Sequence, residues 1–213
     1  MRTFMFAAAA VFTLGACSPL TSNHPLFAIA DQTGPPPLAE GVWVALNSRC
    51  TREAAAMTPL PDDCEPINLH RSADGGWEAS GPGKNPGEVE TIPLLLVPAV
   101  PRAGADAYAP LYVAELSARD SGADRQAPAR QRIYALVAPL GAMPAHEAMF
   151  SDIDCEAILR QGPLEGVSAQ HDDQGKVNGC TTESRAAVLE AARRATIEEL
   201  NSLNDSRLVF VHE

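Results

Sequence analysis

The chain has 213 residues, 46% of them hydrophobic and 20% charged, the makeup of a globular protein rather than a disordered one. Its 27 acids against 16 bases leave a formal charge of −11, which argues against nucleic acid as a partner, because phosphate neutralisation needs a surplus of Lys and Arg. The same balance argues against electrostatic docking on an anionic membrane surface, and 18 prolines with 15 glycines imply many turns.

The N-terminus is the most informative stretch. Arg2 supplies a positive charge, Phe4 to Phe12 form an apolar run, and Leu14-Gly15-Ala16-Cys17 closes it. Charge, apolar core and small residues in that order mark a secretory signal rather than an element of a fold. The run falls short of the roughly 20 apolar residues a permanent membrane helix needs. Its ending, Leu14-Gly15-Ala16-Cys17, resembles the lipobox of bacterial lipoproteins. That resemblance implies that residues 1–16 are removed as a signal peptide and that Cys17 carries a diacylglycerol, with a further acyl chain on its new amino group. Two or three chains at about 0.8 kcal/mol per buried CH₂ anchor firmly where one alone anchors weakly. Ser18 rather than Asp follows Cys17, and in that family this sorts the protein to the outer membrane rather than the inner one. The plainer alternative is an ordinary cleaved signal in which Cys17 is incidental.

Residues 17–40 read as a lipid-anchored tether, because Pro19, Pro25 and Pro35-Pro36-Pro37 favour extended backbone. The spacer proper is Ser18 to Asn23, and the apolar cluster Leu26-Phe27-Ala28-Ile29 is expected to dock on the domain. Residues 41–213 form the expected single domain. Gly41 to Leu46 alternates as a strand, and a helical turn is expected around Glu53 to Ala56. Ile67 to Arg71 and Gly76 to Ala79 flank Asp74-Gly75, a hairpin signal. Gly81 to Gly87 reads as a loop, and Val89 to Val100 as a strand that its prolines confine to a sheet edge or a bulge.

Two further strands, Pro110 to Leu116 and Arg132 to Val137, flank a long polar loop from Ser117 to Arg130. Ser151, with Asp154 three residues on, opens a short helix through Arg160. Val167 to Gln170 and Lys176 to Asn178 pair across His171 to Gly175. Thr181 or Thr182 then caps a helix to about Leu203, roughly 33 Å long, with Val188, Leu189, Ala192, Ala195, Thr196, Leu200 and Leu203 on its apolar stripe. Arg207 to His212 closes the chain as a strand. Strands first and helices later predict an α+β fold: an antiparallel sheet of about five to seven strands with the long C-terminal helix packed on one face.

With Cys17 assigned to lipid, Cys50, Cys64, Cys155 and Cys180 remain. An even number in an exported chain reads as disulfides. Three connectivities are possible, and Cys50–Cys64 with Cys155–Cys180 is preferred because each pair brackets one loop-rich stretch. Thiolate zinc sites and thioredoxin-type redox sites favour closer spacings than these. The mature layout resembles small disulfide-paired lipoproteins of Gram-negative bacteria.

No chemistry-bearing motif emerges. G-x-S-x-G is missing, Gly81-Pro82-Gly83-Lys84 lacks phosphate-loop spacing, and none of His24, His70, His146, His171 and His212 makes an H-E-x-x-H site. His171-Asp172-Asp173 suits a solvated hairpin tip better than a metal site. Asp152-Ile153-Asp154-Cys155-Glu156 departs from the calcium loop at Ala157 and Pro163. Trp43 and Trp77 read as core. The expectation is a non-enzymatic, lipid-anchored envelope protein without cofactor or metal, facing the periplasm and contacting an envelope protein, peptidoglycan or lipid. The alternatives are an exported hydrolase, which a polar cleft placing His70 or His171 beside a carboxylate would favour, and a small-ligand carrier, which needs an apolar cavity between sheet and helix.

Overall fold

The structure is a computed structural model describing residues 18–83, 85, 87–99, 110–117, 131–195 and 207–212. Eight antiparallel strands close into a barrel: β2 (Gly41–Ala45), β3 (Pro66–Arg71), β4 (Trp77–Pro82), β5 (Val89–Ala99), β6 (Leu111–Ser117), β7 (Arg132–Pro139), β8 (Glu147–Asp152) and β11 (Arg207–His212). Strands β2 to β8 run up and down in chain order, β11 slots between β8 and β2, and the β6–β7 pairing completes the ring. Three more strands extend from it. β1 (Leu20–Ser22) pairs antiparallel with the start of β7 and parallel with β10 (Val177–Thr182), which pairs with β9 (Val167–His171). The helices are α1 (Arg52–Ala55), α2 (Cys155–Arg160) and α3 (Arg185–Ala195).

This corrects the expected α+β architecture. The protein is mostly β, the sheet is closed rather than open, and the described part of α3 has 11 residues. Thr182 lies in the β10 ladder opposite Val167, so it does not cap a helix. The Ser184 hydroxyl takes that place, accepting from the Ala187 N–H at 3.3 Å. The expected stripe positions Thr196, Leu200 and Leu203 lie outside the described residues, as does most of the Ser117–Arg130 loop. Helix α2 begins at Asp154, whose carboxylate accepts from the Glu156 N–H at 2.9 Å, while Ser151, expected to open it, belongs to β8.

Two apolar layers explain the arrangement. The barrel interior is filled by Trp43, Trp77, Tyr112, Phe150, Leu96 and their neighbours, as an eight-stranded barrel of this width permits. The outer face of β5 to β8 is apolar too, through Val97, Val113, Leu136 and Met149, and is covered by Leu20, Ile158, Val188 and Ala191 from β1, α2 and α3. Strand β6 is therefore buried along its whole length. A smaller cluster under the Cys50–Cys64 loop covers Val44 and Val209.

Strand β5 resolves its own proline problem. Its residues Val89 to Leu94 pair with β4, and Leu94 to Ala99 pair with β6. Pro93 lies opposite Glu78 on the half that has not reached β6, and Pro98 lies opposite Tyr112 on the half that has left β4. Each proline thus has a neighbouring strand on one side alone, where a missing N–H is tolerated.

Candidate functional site

The residues expected to form the tether pack on the body. Ser18 is 1% exposed, its hydroxyl donates to Asp154 at 2.6 Å, and its carbonyl accepts from the Cys155 N–H at 2.8 Å. The Pro19 carbonyl accepts from the Cys180 N–H at 3.0 Å. Cys155 and Cys180 are joined as a disulfide with Cα atoms 5.5 Å apart, and Cys50 and Cys64 form the second, at 4.9 Å. Both expected pairings are present. Cys17 lies outside the described residues.

Beyond β1 the chain is strapped over the outer wall by a buried carboxylate. Glu115 is 3% exposed; it accepts from the backbone N–H groups of Leu26 and Phe27 at 2.8 and 3.2 Å and from the Tyr134 hydroxyl at 3.2 Å. Ser22 Oγ and Tyr134 OH share a 2.7 Å hydrogen bond. Burial pushes the Tyr134 phenol well above the ordinary range, so it stays a neutral donor. Sequence reasoning missed this network, although Glu115, a lone acid inside the apolar run Leu111 to Leu116, was its visible signal.

The strap then crosses one mouth of the barrel, with Leu38 and Ala39 reaching the interior layer and Trp43 Nε1 donating to the Ala39 carbonyl at 3.0 Å. Under residues Gln32 to Pro37 lies a small cavity of ≈ 40 Å³ bordered by Arg71, Trp77, Leu96 and Tyr112, roomy enough for water. The Arg71 guanidinium stands 5.0 Å from the centre of the Trp77 ring and makes no ion pair among the described residues. Trp43 and Trp77 are both core, as their alternation implied. Beside the mouth, His146 stacks on Phe210 at 4.6 Å, at the edge of a shallow groove of ≈ 470 Å³ with Glu40 and Pro144.

The other sequence candidates separate. His70 stands opposite Glu78 across β3 and β4, with Nε2 3.3 Å from the carboxylate. Both side chains are over a third exposed, and His70 Nδ1 has no hydrogen-bond partner among the described residues, so no hydroxyl nucleophile is seated beside it. The Asp172 carboxylate accepts from the N–H groups of Gln174 and Lys176, both at 2.9 Å, and thereby closes the β9–β10 turn that carries His171. His24 pairs with Glu183 at 2.6 Å on the surface. No group of three or more His, Cys, Asp or Glu side chains among the described residues could hold a metal ion. The wall between barrel and helices, where a carrier's cavity was expected, is filled by Val113, Leu136, Ile158, Val188 and Ala191.

One carboxyl is strongly perturbed upward. Asp152 ends β8 on the face that carries Ala148 and Phe150 into the barrel; burial, with the Asp154 charge second, raises it to about 7. Glu190 is drawn the other way, to about 2, by hydrogen bonds from Arg193 and Arg194 that outweigh its partial burial. No described helix is long and apolar enough to cross a membrane. No protein-family model matches the chain, and no curated protein or solved structure matches it.

Proposed function

We propose that this chain is a lipid-anchored protein of the bacterial cell envelope, facing the periplasm and held to the outer membrane through Cys17, and that its barrel is a binding or structural module rather than an enzyme. The observation that carries the reading is the run Leu14-Gly15-Ala16-Cys17 after a charged and apolar leader. Two disulfides support export to an oxidising compartment. The packed barrel interior supports the non-enzymatic part, and the buried carboxylate of Glu115 serves to hold the strap, its Oε2 accepting from two backbone N–H groups and a phenol.

Mass analysis of the membrane-extracted protein tests the anchor. The wild type should begin at Cys17, carry a diacylglyceryl mass there, and partition into the detergent phase. Cys17→Ala should accumulate unprocessed or appear soluble. Mature wild-type protein in the aqueous periplasmic fraction, with a free thiol at Cys17, would overturn the reading.

A further inference from the structure

The segment that follows Cys17 has no slack. A flexible tether over residues 17–40 would let the body range roughly 25–30 Å from the membrane, at 5–6 Å times the square root of its length. Instead the chain is pinned from Ser18 onward. Leu20 is 0% exposed, and its N–H donates to the Ile153 carbonyl at 3.1 Å. The Ser18 and Pro19 carbonyls are held by the N–H groups of Cys155 and Cys180, so the two halves of one disulfide grip two successive residues of the entering strand. Residue 17 is one Cα step, about 3.8 Å, from buried Ser18.

We propose that the barrel is seated directly on the bilayer by this clamp, with the start of α2 and the neighbouring β9–β10 ladder turned to the lipid headgroups; this rests on the lipidation of Cys17 proposed above. The occupant of that face is the bilayer surface itself, because acyl chains leaving residue 17 enter the membrane within a side-chain length of Ser18. The face carries Asp154 and Glu156, so charge does not hold it there. The covalent chains do, through burial of their CH₂ groups in the bilayer. Gly179 fits the same picture of close packing, since a side chain there would meet Gln170 at 3.3 Å and the Pro19 carbonyl at 3.6 Å. The consequence for function is a protein of fixed orientation that works at the membrane surface and does not reach across the periplasm.

Neutron reflectometry on the purified lipidated protein, bound to a supported phosphatidylethanolamine–phosphatidylglycerol bilayer, reads the distance directly. The expected result is a protein layer continuous with the headgroups, with a water gap under about 5 Å. A variant with a flexible Ser/Gly spacer of about twelve residues between Cys17 and Ser18, beginning with serine, should open a gap of roughly 20 Å. A wild-type gap as wide as the spacer variant's, with the lipid mass confirmed on Cys17, overturns the seating and leaves the anchor standing. A protein that lacks the lipid mass and fails to bind the bilayer overturns both. Hydrogen exchange gives a second readout: the Leu20 amide should be among the slow ones in the anchored protein, and rapid exchange there would show that the clamp is open.

Discussion

Glu115 concentrates the strongest residue-scale test. Its carboxylate answers two backbone N–H groups of the strap and the Tyr134 hydroxyl in a buried setting, and charge-assisted hydrogen bonds of this kind each contribute roughly 1.5–3 kcal/mol. Glu115→Ala should therefore cost about 3–5 kcal/mol in chemical denaturation, a large part of the roughly 5–15 kcal/mol that such a protein possesses. Tyr134→Phe, which removes one phenol and leaves the Ser22 hydroxyl its His24 carbonyl, should cost about 1–2 kcal/mol. Equal, small effects for both would show that the strap is not held here. Asp152 sets a pH dependence of defined sign. Its folded value near 7 lies above the unfolded carboxyl value, so the folded state binds the extra proton. Stability should fall as pH rises from about 4 to 7, by on the order of 2–4 kcal/mol, and level off above. Asp152→Asn should flatten that slope, which melting curves at pH 5 and pH 8 would read. Arg194 shows what residue-level reasoning from a helical stripe misses. Off the stripe, it resembles a solvated residue whose loss costs little. In the fold its guanidinium donates to the Gly162 carbonyl at 2.8 Å and to the Ile158 and Pro163 carbonyls. Arg194→Ala should cost about 1–2 kcal/mol, whereas Arg193→Ala, which gives up an exposed pair with Glu190, should stay within about 0.5 kcal/mol.

At the scale of elements, the described part of α3 docks through alanines. Ala187, Val188, Ala191, Ala192 and Ala195 are buried, and Leu189, expected on the stripe, is partly so. Small side chains let the helix approach the barrel wall closely, so Val188→Asp should bury an unpaired charge and cost several kcal/mol, while Leu189→Asp should cost less. Comparable Tm values for Val188→Asp and wild type would mean that α3 does not dock. The disulfides act on neighbouring elements: Cys155–Cys180 ties α2 to β10, and Cys50–Cys64 closes the loop that holds α1. Replacing Cys155 and Cys180 together by Ala should cost about 2–5 kcal/mol and speed hydrogen exchange in β1, whose neighbours they are. Both pairings were legible because each closes a local loop. Strand β8 was not, although Ala148 and Phe150 alternate with Met149 and Ser151. Its outer face is buried as well as its inner one, which erases the polar half of the period.

For the whole molecule, closure is the property that matters. Strand β11 joins β2 to β8, and without it both would present open edges, which promote aggregation. Removing residues 207–213 should abolish cooperative unfolding and leave an aggregating chain. A soluble truncated form with an unchanged Tm would show that the barrel does not depend on this strand. The same closure explains the fold-level error. Period-two strands are identical whether the sheet is open or rolled, and the deciding pair, β11 with β2, joins residues from opposite ends of the chain.

What the sequence by itself determined is local and covalent. It showed the charged and apolar run that ends in Leu14-Gly15-Ala16-Cys17, the Asp74-Gly75 hairpin, most of the strands, and two disulfides between near neighbours, because turn chemistry, alternation and loop length are written within a few residues. Only the tertiary structure decided the rest. It closed the sheet, turned the expected tether into β1 and a strap, and brought Glu115 together with Leu26, Phe27, Tyr134 and Ser22. Leu26, Phe27 and Ser22 lie 89, 88 and 112 residues from the β6 and β7 side chains they meet, and they share no pattern with them. Their meeting depends on which strands pair, and that choice is made by the burial of both faces of β6 and its neighbours rather than by any local signal.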